Sequence, residues 1–241
     1  MLQLSISEGG LACMNLDIKQ ELAKLGFFDE STLSEQEALL ASVTAHTYQP
    51  GDVLYQNDGE SKLLFIIRQG LVKLLAYLPN GRTRIVRMHK RGSMIGLDGL
   101  MNQSHGHTAV AVDEVSVFQI PHTELLRWKE EDPQLYSQLL EKWYEYLSYA
   151  DTWITDFSTG NVKGRVARLL RFLSHFDSET GPQIVELLTT DEMSEILGVT
   201  PESVSRVVAE FKREDILCPI ENNSESLFTC DLKRIEQLAR N

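Results

Sequence analysis

Residues 189–214 read TTDEMSEILGVTPESVSRVVAEFKRE, and no other stretch restricts the fold so tightly. Met193, Ile196 and Leu197 recur at steps of three and four, which lines one face of a short helix, and Thr190 is placed to cap its start. Gly198 follows where a left-handed residue is needed to stop the helix and turn the chain sharply. Val199 is expected to plug that turn. Thr200 then supplies an N-cap, Pro201 stands at N1 where its missing N–H is no loss, and Glu202 and Ser203 complete the first turn of a second helix. Val204, Val207, Val208 and Phe211 would face inward. Pro201, Glu202, Ser205, Arg206 and Glu210 are left outside, with Lys212 or Arg213 further along. An ordinary helical hairpin has no need of an outward Glu-x-x-Ser-Arg set; a helix-turn-helix does. Ile216 and Leu217, a hairpin with Asn222-Asn223 at its tip, LFTC returning, and Asp231 capping a last helix add a wing to it.

Upstream, the texture of the chain changes twice. Residues 17–47 show a helical pattern: Asp17 as a cap, Leu22 and Leu25 on one face, then Leu33, Leu39, Leu40 and Val43. From Pro50-Gly51 to about residue 122, short β-branched and aromatic runs alternate with turn residues. Glycines at 51, 59, 70, 81 and 92 space strands as in a sandwich or jelly roll. LLFIIR (63–68) reads as a buried strand, residues 71–88 as a hairpin around Asn80-Gly81, and VSVFQI (115–120) as the closing strand. After Asp132-Pro133 the pattern turns helical again. Leu139, Trp143, Tyr146, Leu147, Ala150, Trp153, Ile154 and Phe157 recur at steps of three and four, more apolar surface than a small roll can cover. This predicts a long helix with a dimer seam on Leu139, Trp143, Leu147, Ala150 and Ile154. Ser158-Thr159-Gly160-Asn161 breaks the helix as a hinge, and VKGRVARLLRFLSHF follows as an amphipathic helix with Val162, Val166, Leu169, Leu170 and Leu173 inward. The expected class is α+β, in three parts: an N-terminal β-roll (17–130), a central dimerisation helix (131–158) and a C-terminal winged helix-turn-helix (159–241).

Composition narrows the function classes. The net charge of −12 opposes broad nucleic-acid affinity, so any DNA contact must rest on a local surface. Even there, residues 161–214 hold seven basic side chains (Lys163, Arg165, Arg168, Arg171, Arg206, Lys212, Arg213) against nine acidic ones, and the wing tip ENNSESL has neither Lys nor Arg. Weak non-specific affinity and reliance on base-specific contact follow. The N-terminal stretch lacks the pattern of a signal peptide, and no apolar run reaches the ~20 residues of a membrane span, so no membrane partner is expected. Cys13, Cys218 and Cys230 are scattered, which suits a reducing cytoplasm. No nucleophile–base–orienter set, phosphate loop or paired metal ligands suggest an enzyme.

The order of elements, with PGDVLYQNDGE, LFIIRQGLVKL, NGRTRIVRM, GSMIGLDGL, AVDEVSVFQIP, GRVARLLRFL and LGVTPESVSRVV, resembles the CRP/FNR family of bacterial transcription regulators over roughly residues 20–240. The resemblance implies a homodimer that binds an inverted repeat and works with RNA polymerase. The recognition helix is similar to the FNR branch, whose half-sites resemble TTGA. On that pattern Thr190, Thr200, Pro201, Glu202, Ser203, Ser205, Arg206 and Lys212 are the DNA-binding candidates. Arg206 can donate bidentately to guanine and Glu202 can accept from a cytosine amino group. The alternative is an effector-binding module whose helix-turn-helix serves a protein interaction.

The resemblance also implies an effector site around GSMIGLDGLMNQSHGHT (92–108), with Gly96, Leu97, His105, His107 and Thr108 as its candidates. Members of the family that bind cyclic nucleotides hold the ribose with a Glu after the glycine and the phosphate with an Arg-Ser/Thr pair. Here Leu97 follows Gly96, His105-Gly106-His107-Thr108 replaces the pair, and no arginine lies between 92 and 126. Cyclic AMP is therefore not expected, and the effector stays unknown. An iron–sulfur cluster needs four cysteines, and only Cys13 is near this part of the chain. A haem or metal on His89, His105 or His107 is conceivable, because His-x-His on a strand sets two imidazoles on one face, but no third ligand is evident.

Overall fold

The computed structural model describes residues 18–25, 37–131, 133–174, 184–220 and 226–240. Helix α1 covers 18–24 and α2 is Glu37–Ser42. Eight strands follow: β1 (Thr44–Tyr48), β2 (Val53–Tyr55), β3 (Leu63–Gln69), β4 (Val72–Tyr77), β5 (Thr83–His89), β6 (Met94–Ile95), β7 (Thr108–Ala111) and β8 (Val115–Pro121). They form two four-stranded sheets, ordered β1-β8-β3-β6 and β2-β7-β4-β5, as a jelly roll requires. A 3-10 helix, Leu97–Met101, fills the connection between β6 and β7.

β3 shows why its sequence is an unbroken apolar run. Leu64 and Ile66 pair with Ile120 and Phe118 of β8, and that face joins Leu22, Leu40 and Leu125 from flanking helical segments in one cluster. Phe65 and Ile67 point the other way and are buried as well. A strand covered on both faces loses polar–apolar alternation.

The helical pattern expected to run through residue 47 ends at Ser42, and Thr44–Tyr48 pair antiparallel with β8 instead. Threonine and tyrosine favour strands, and the ladder satisfies the backbone of the segment along the edge of β8. The expected cap Asp17 and the apolar Leu33 lie outside the described residues. The hairpin around Asn80-Gly81 forms as expected, with Gly81 at φ +77°.

Helix α3 (His122–Glu131) leaves the roll, and the 26-residue α4 (Pro133–Ser158) follows with proline at its first position. The chain divides into two compact units: one holds residues up to Ala76 together with Met88–Tyr146, and the other holds Tyr77–Arg87 with Leu147–Asn241. In the second, α5 (Val162–Ser174) buries Val166, Ala167, Leu169, Leu170 and Leu173. Strand β9 (Ile184–Glu186), α6 (Thr190–Leu197), α7 (Pro201–Arg213), β10 (Leu217–Pro219), β11 (Leu227–Cys230) and α8 (Leu232–Ala239) complete it. β11 lies between β10 and β9, antiparallel to both. The expected wing tip at Asn222-Asn223 lies outside the described residues. Among them, no helix is long and apolar enough to cross a membrane.

Two left-handed glycines separate conformational cost from steric cost. At Gly81 an added Cβ would meet nothing within 4 Å, whereas at Gly96 (φ +87°) it would lie 2.5 Å from the Leu63 carbonyl oxygen. Gly81→Ala should cost about 1–2 kcal/mol, and Gly96→Ala clearly more because β3 itself must shift. Urea denaturation followed by circular dichroism measures both, and equal losses would contradict the steric account.

Candidate nucleic-acid interface

The sharp turn between α6 and α7 is built from the groups left unpaired at helix ends. At the start of α6 the cap is Thr189, not Thr190. The Thr189 hydroxyl accepts from Glu192 N at 3.2 Å, and Glu192 Oε2 accepts from Thr189 N at 3.0 Å. This reciprocal pair is a capping box. The Thr-Thr doublet hid it from a reading of hydroxyls alone, but the three-residue spacing to Glu192 was the available signal. At the other end Gly198 adopts φ 63°, ψ 38°, and its N–H donates to Ser194 O at 2.8 Å. Thr200, extended at φ −82°, ψ 149°, accepts weakly from Ser203 N, and Pro201 opens α7. Val199 is only half-buried.

Val204, Val207 and Phe211 are buried on the inner side of α7, while Val208 is half-buried. Glu202, Ser205 and Arg206 are exposed. Thr190, Pro201, Glu202, Ser205 and Arg206 line one open concavity of about 450 Å³. Five of the eight expected DNA-binding residues thus converge on one surface. Thr200 and Ser203 bond to each other across the cap, oxygen to oxygen at 3.1 Å. Lys212 is exposed, but its Nζ lies 4.3 Å from the centre of the Phe228 ring on β11, a cation–π contact that ties it to the wing. Hydrogen bonds from its own N–H and from Thr200 hold the Glu202 carboxyl below the usual range, so it meets a partner as an ionised acceptor.

Counting basic residues along the chain overstates what this surface offers. Lys163 Nζ is 2.6 Å from Glu210 Oε1, which lowers the pKa of the Glu210 carboxyl and draws that expected outward residue into an ion pair. Arg165 donates to the Leu197 carbonyl at 2.9 Å. Arg168 donates to main-chain carbonyls, and Arg171 pairs with Asp156 at 3.6 Å. These four cations hold helices together; nothing in their spacing distinguishes them from phosphate ligands.

The expected effector residues sit in the roll, and two of them are not where the sequence placed them. His105 and His107 precede β7 instead of lying on it, so they do not share a strand face. His105 is 3% exposed. Its ring stacks on Tyr55, with centroids 3.8 Å apart, and Nδ1 lies 3.2 Å from Asp98 Oδ2. That bond lowers the pKa of the Asp98 carboxyl. Thr108 is buried, its hydroxyl accepting from Asn57 N at 3.0 Å, and Leu97 packs against the core beside α1 and α2. The Gly96 carbonyl accepts from Ser61 Oγ and faces Nε2 of the buried His122, whose Nδ1 faces the Ser61 carbonyl. His122 was missed because a lone histidine at the start of a helix carries no pattern. Among the described residues no three His, Cys, Asp or Glu side chains group as metal ligands. On α4, Ala150 is half-buried and Ile154 is 60% exposed; the side chains of Leu139, Trp143 and Leu147 lie outside the described residues.

Known proteins share this architecture. The family model for the cyclic nucleotide-binding domain matches residues 45–132, and that for the Crp-like helix-turn-helix domain matches residues 164–238. The fumarate and nitrate reduction regulatory protein of Vibrio cholerae is 27% identical over 88% of this chain and 86% of its own length. The CRP-like cAMP-activated global transcriptional regulator of Mycobacterium tuberculosis is 24% identical over 91% and 98%. FixK2 of Bradyrhizobium japonicum shares the fold with a TM-score of 0.71, at 22% identity over 81% of this chain and 96% of that one. The residues present do not fit a cyclic nucleotide. Asp98 sets a carboxylate in the first turn of the 3-10 helix, where it would repel a phosphate, and Leu97, in the place of a ribose-holding Glu, is half-buried and packs against the core. The two parts of the chain hold a jelly roll and a helix-turn-helix with an outward polar face. Their order and their relatives make this chain a member of the CRP/FNR family, whose proteins are DNA-binding transcription regulators and not enzymes.

Proposed function

We propose that the chain binds an inverted repeat with TTGA-like half-sites as a homodimer, using α4 as the seam and α7 as the reading helix. The concavity shared by Thr190, Pro201, Glu202, Ser205 and Arg206 carries this reading. It gathers a guanine-reading guanidinium, a cytosine-reading carboxylate and two hydroxyls on one outward surface. On α4, Ile154 and Tyr144 are exposed and Ala150 is half-buried, which supports the seam. Two copies would set their reading helices one DNA turn, ~34 Å, apart. RNA polymerase is the expected partner once DNA is bound. The roll would act through an effector other than a cyclic nucleotide.

Gel-shift titration against TTGA-type palindromes tests this. Arg206→Ala should weaken specific binding by about 1–3 kcal/mol, roughly 5- to 150-fold, and relax the choice of base at one position per half-site. Its unfolding curve should match the parent. Equal binding by the variant, or absence of any palindrome binding by the parent, would count against the proposal and favour a protein partner for this surface.

The scarcity of outward cations gives a second expectation. If Arg206, Lys212 and Arg213 of each protomer supply the phosphate and base contacts, the slope of log K against log salt should be about −5 or shallower. A slope near −10 would mean that other basic side chains reach the backbone.

A further inference from the structure

α4 ends at Ser158, the chain turns at Gly160 (φ +82°), and α5 starts at Val162. As a sequence this is a flexible hinge. In the structure the junction is bound from both sides. The last four carbonyls of any helix lack partners within it, and Arg168 on α5 serves such groups in two helices at once. Its Nε donates to Asp156 O at 2.6 Å, one terminal nitrogen donates to Ala239 O at 2.8 Å, and the other to Thr159 O. Asp156 lies in the last turn of α4 and Ala239 is the last residue of α8. A fixed positive charge is favoured at both negative helix ends, and the planar fork directs its donors to three separate carbonyls.

Apolar contacts reinforce the same joint. Trp153 and Phe157 of α4 and Phe172 of α5 form a triangle of near-perpendicular rings, with centroids 4.6, 5.6 and 5.8 Å apart. The α4 segment from Leu147 onward belongs to the same compact unit as the helix-turn-helix. From α5 the linkage continues to the reading helix through Lys163 and Glu210.

We propose that Arg168 is a positioning residue for DNA recognition: it locks the end of α4 to the reader, so that the distance between two reading helices is set by the dimer helix. This rests on the dimeric reading above. The residue touches no DNA in this scheme, although a count of charges would assign it to a phosphate.

The test uses the full chain and palindromes whose half-sites are separated by the preferred spacer or by one base pair more or fewer. Arg168→Ala should remain dimeric by light scattering and lose at least about tenfold in affinity for the preferred spacer. Its discrimination between spacers should collapse while the salt slope stays that of the parent. Arg168→Lys should not rescue spacing, because one ammonium cannot serve three diverging carbonyls. Should Arg168→Ala fail to fold, Arg168→Gln carries the same comparison. Unchanged spacer discrimination in the variant overturns the proposal, as does a salt slope shallower by about one unit per lost phosphate contact. A parent that binds no palindrome would sink the dimeric reading too; a parent that discriminates spacers alongside a variant that does so equally sinks only the role of Arg168.

Discussion

The C-terminal unit is made of short helices, and a short helix has nearly as many unpaired end groups as internal hydrogen bonds. What holds this unit in one shape is the way those ends are closed. Thr189 and Glu192 close the start of α6, Gly198 its end, Thr200 the start of α7, and Asp231, whose carboxylate accepts from Arg234 N, the start of α8. Each closure leaves the axis of the next helix little choice. The outward set on α7 faces one way because Val204, Val207 and Phe211 are buried behind it, and because the turn before it admits one geometry.

Charge is distributed by the same logic. A chain with a net charge of −12 that binds DNA cannot rely on a diffuse positive field. Here several cations near the reader are consumed inside it: Lys163 between helices, Arg165 and Arg168 on main-chain carbonyls. Arg206 is among those left facing outward. In the proposed complex, affinity would depend on base contacts that only the right sequence can supply, which favours specificity over non-specific hold.

The roll frames its glycine stretch with side chains of its own. Gly96 still takes the left-handed backbone that brings the 3-10 helix against β3. Around it, Tyr55 stacks on His105, which meets Asp98, while His122 faces the carbonyls of Gly96 and Ser61. The polar side chains here face other groups of the protein, which ties the glycine stretch to Tyr55 of β2 and His122 of α3.

How much of this the sequence showed depended on the range of the interaction. Turn residues, caps and helical periodicity are local, so the strands around Asn80-Gly81, the turn at Gly198 and the proline-led α7 could be read directly. Thr44–Tyr48 could not, because its pairing with β8 joins residues about seventy positions apart. The burial of His105 and the coupling of Lys163 to Glu210 escaped for the same reason. By itself the sequence determined the kinds of element, their order and the identity of the outward face of α7, since these follow from backbone preferences within a few residues. Only the tertiary structure decided that Lys163, Arg165 and Arg168 are held within the protein, that the glycine stretch is tied to Tyr55 and His122, and that the break after α4 is a bound joint. Each of those depends on charges, rings and carbonyls brought together from distant parts of the chain.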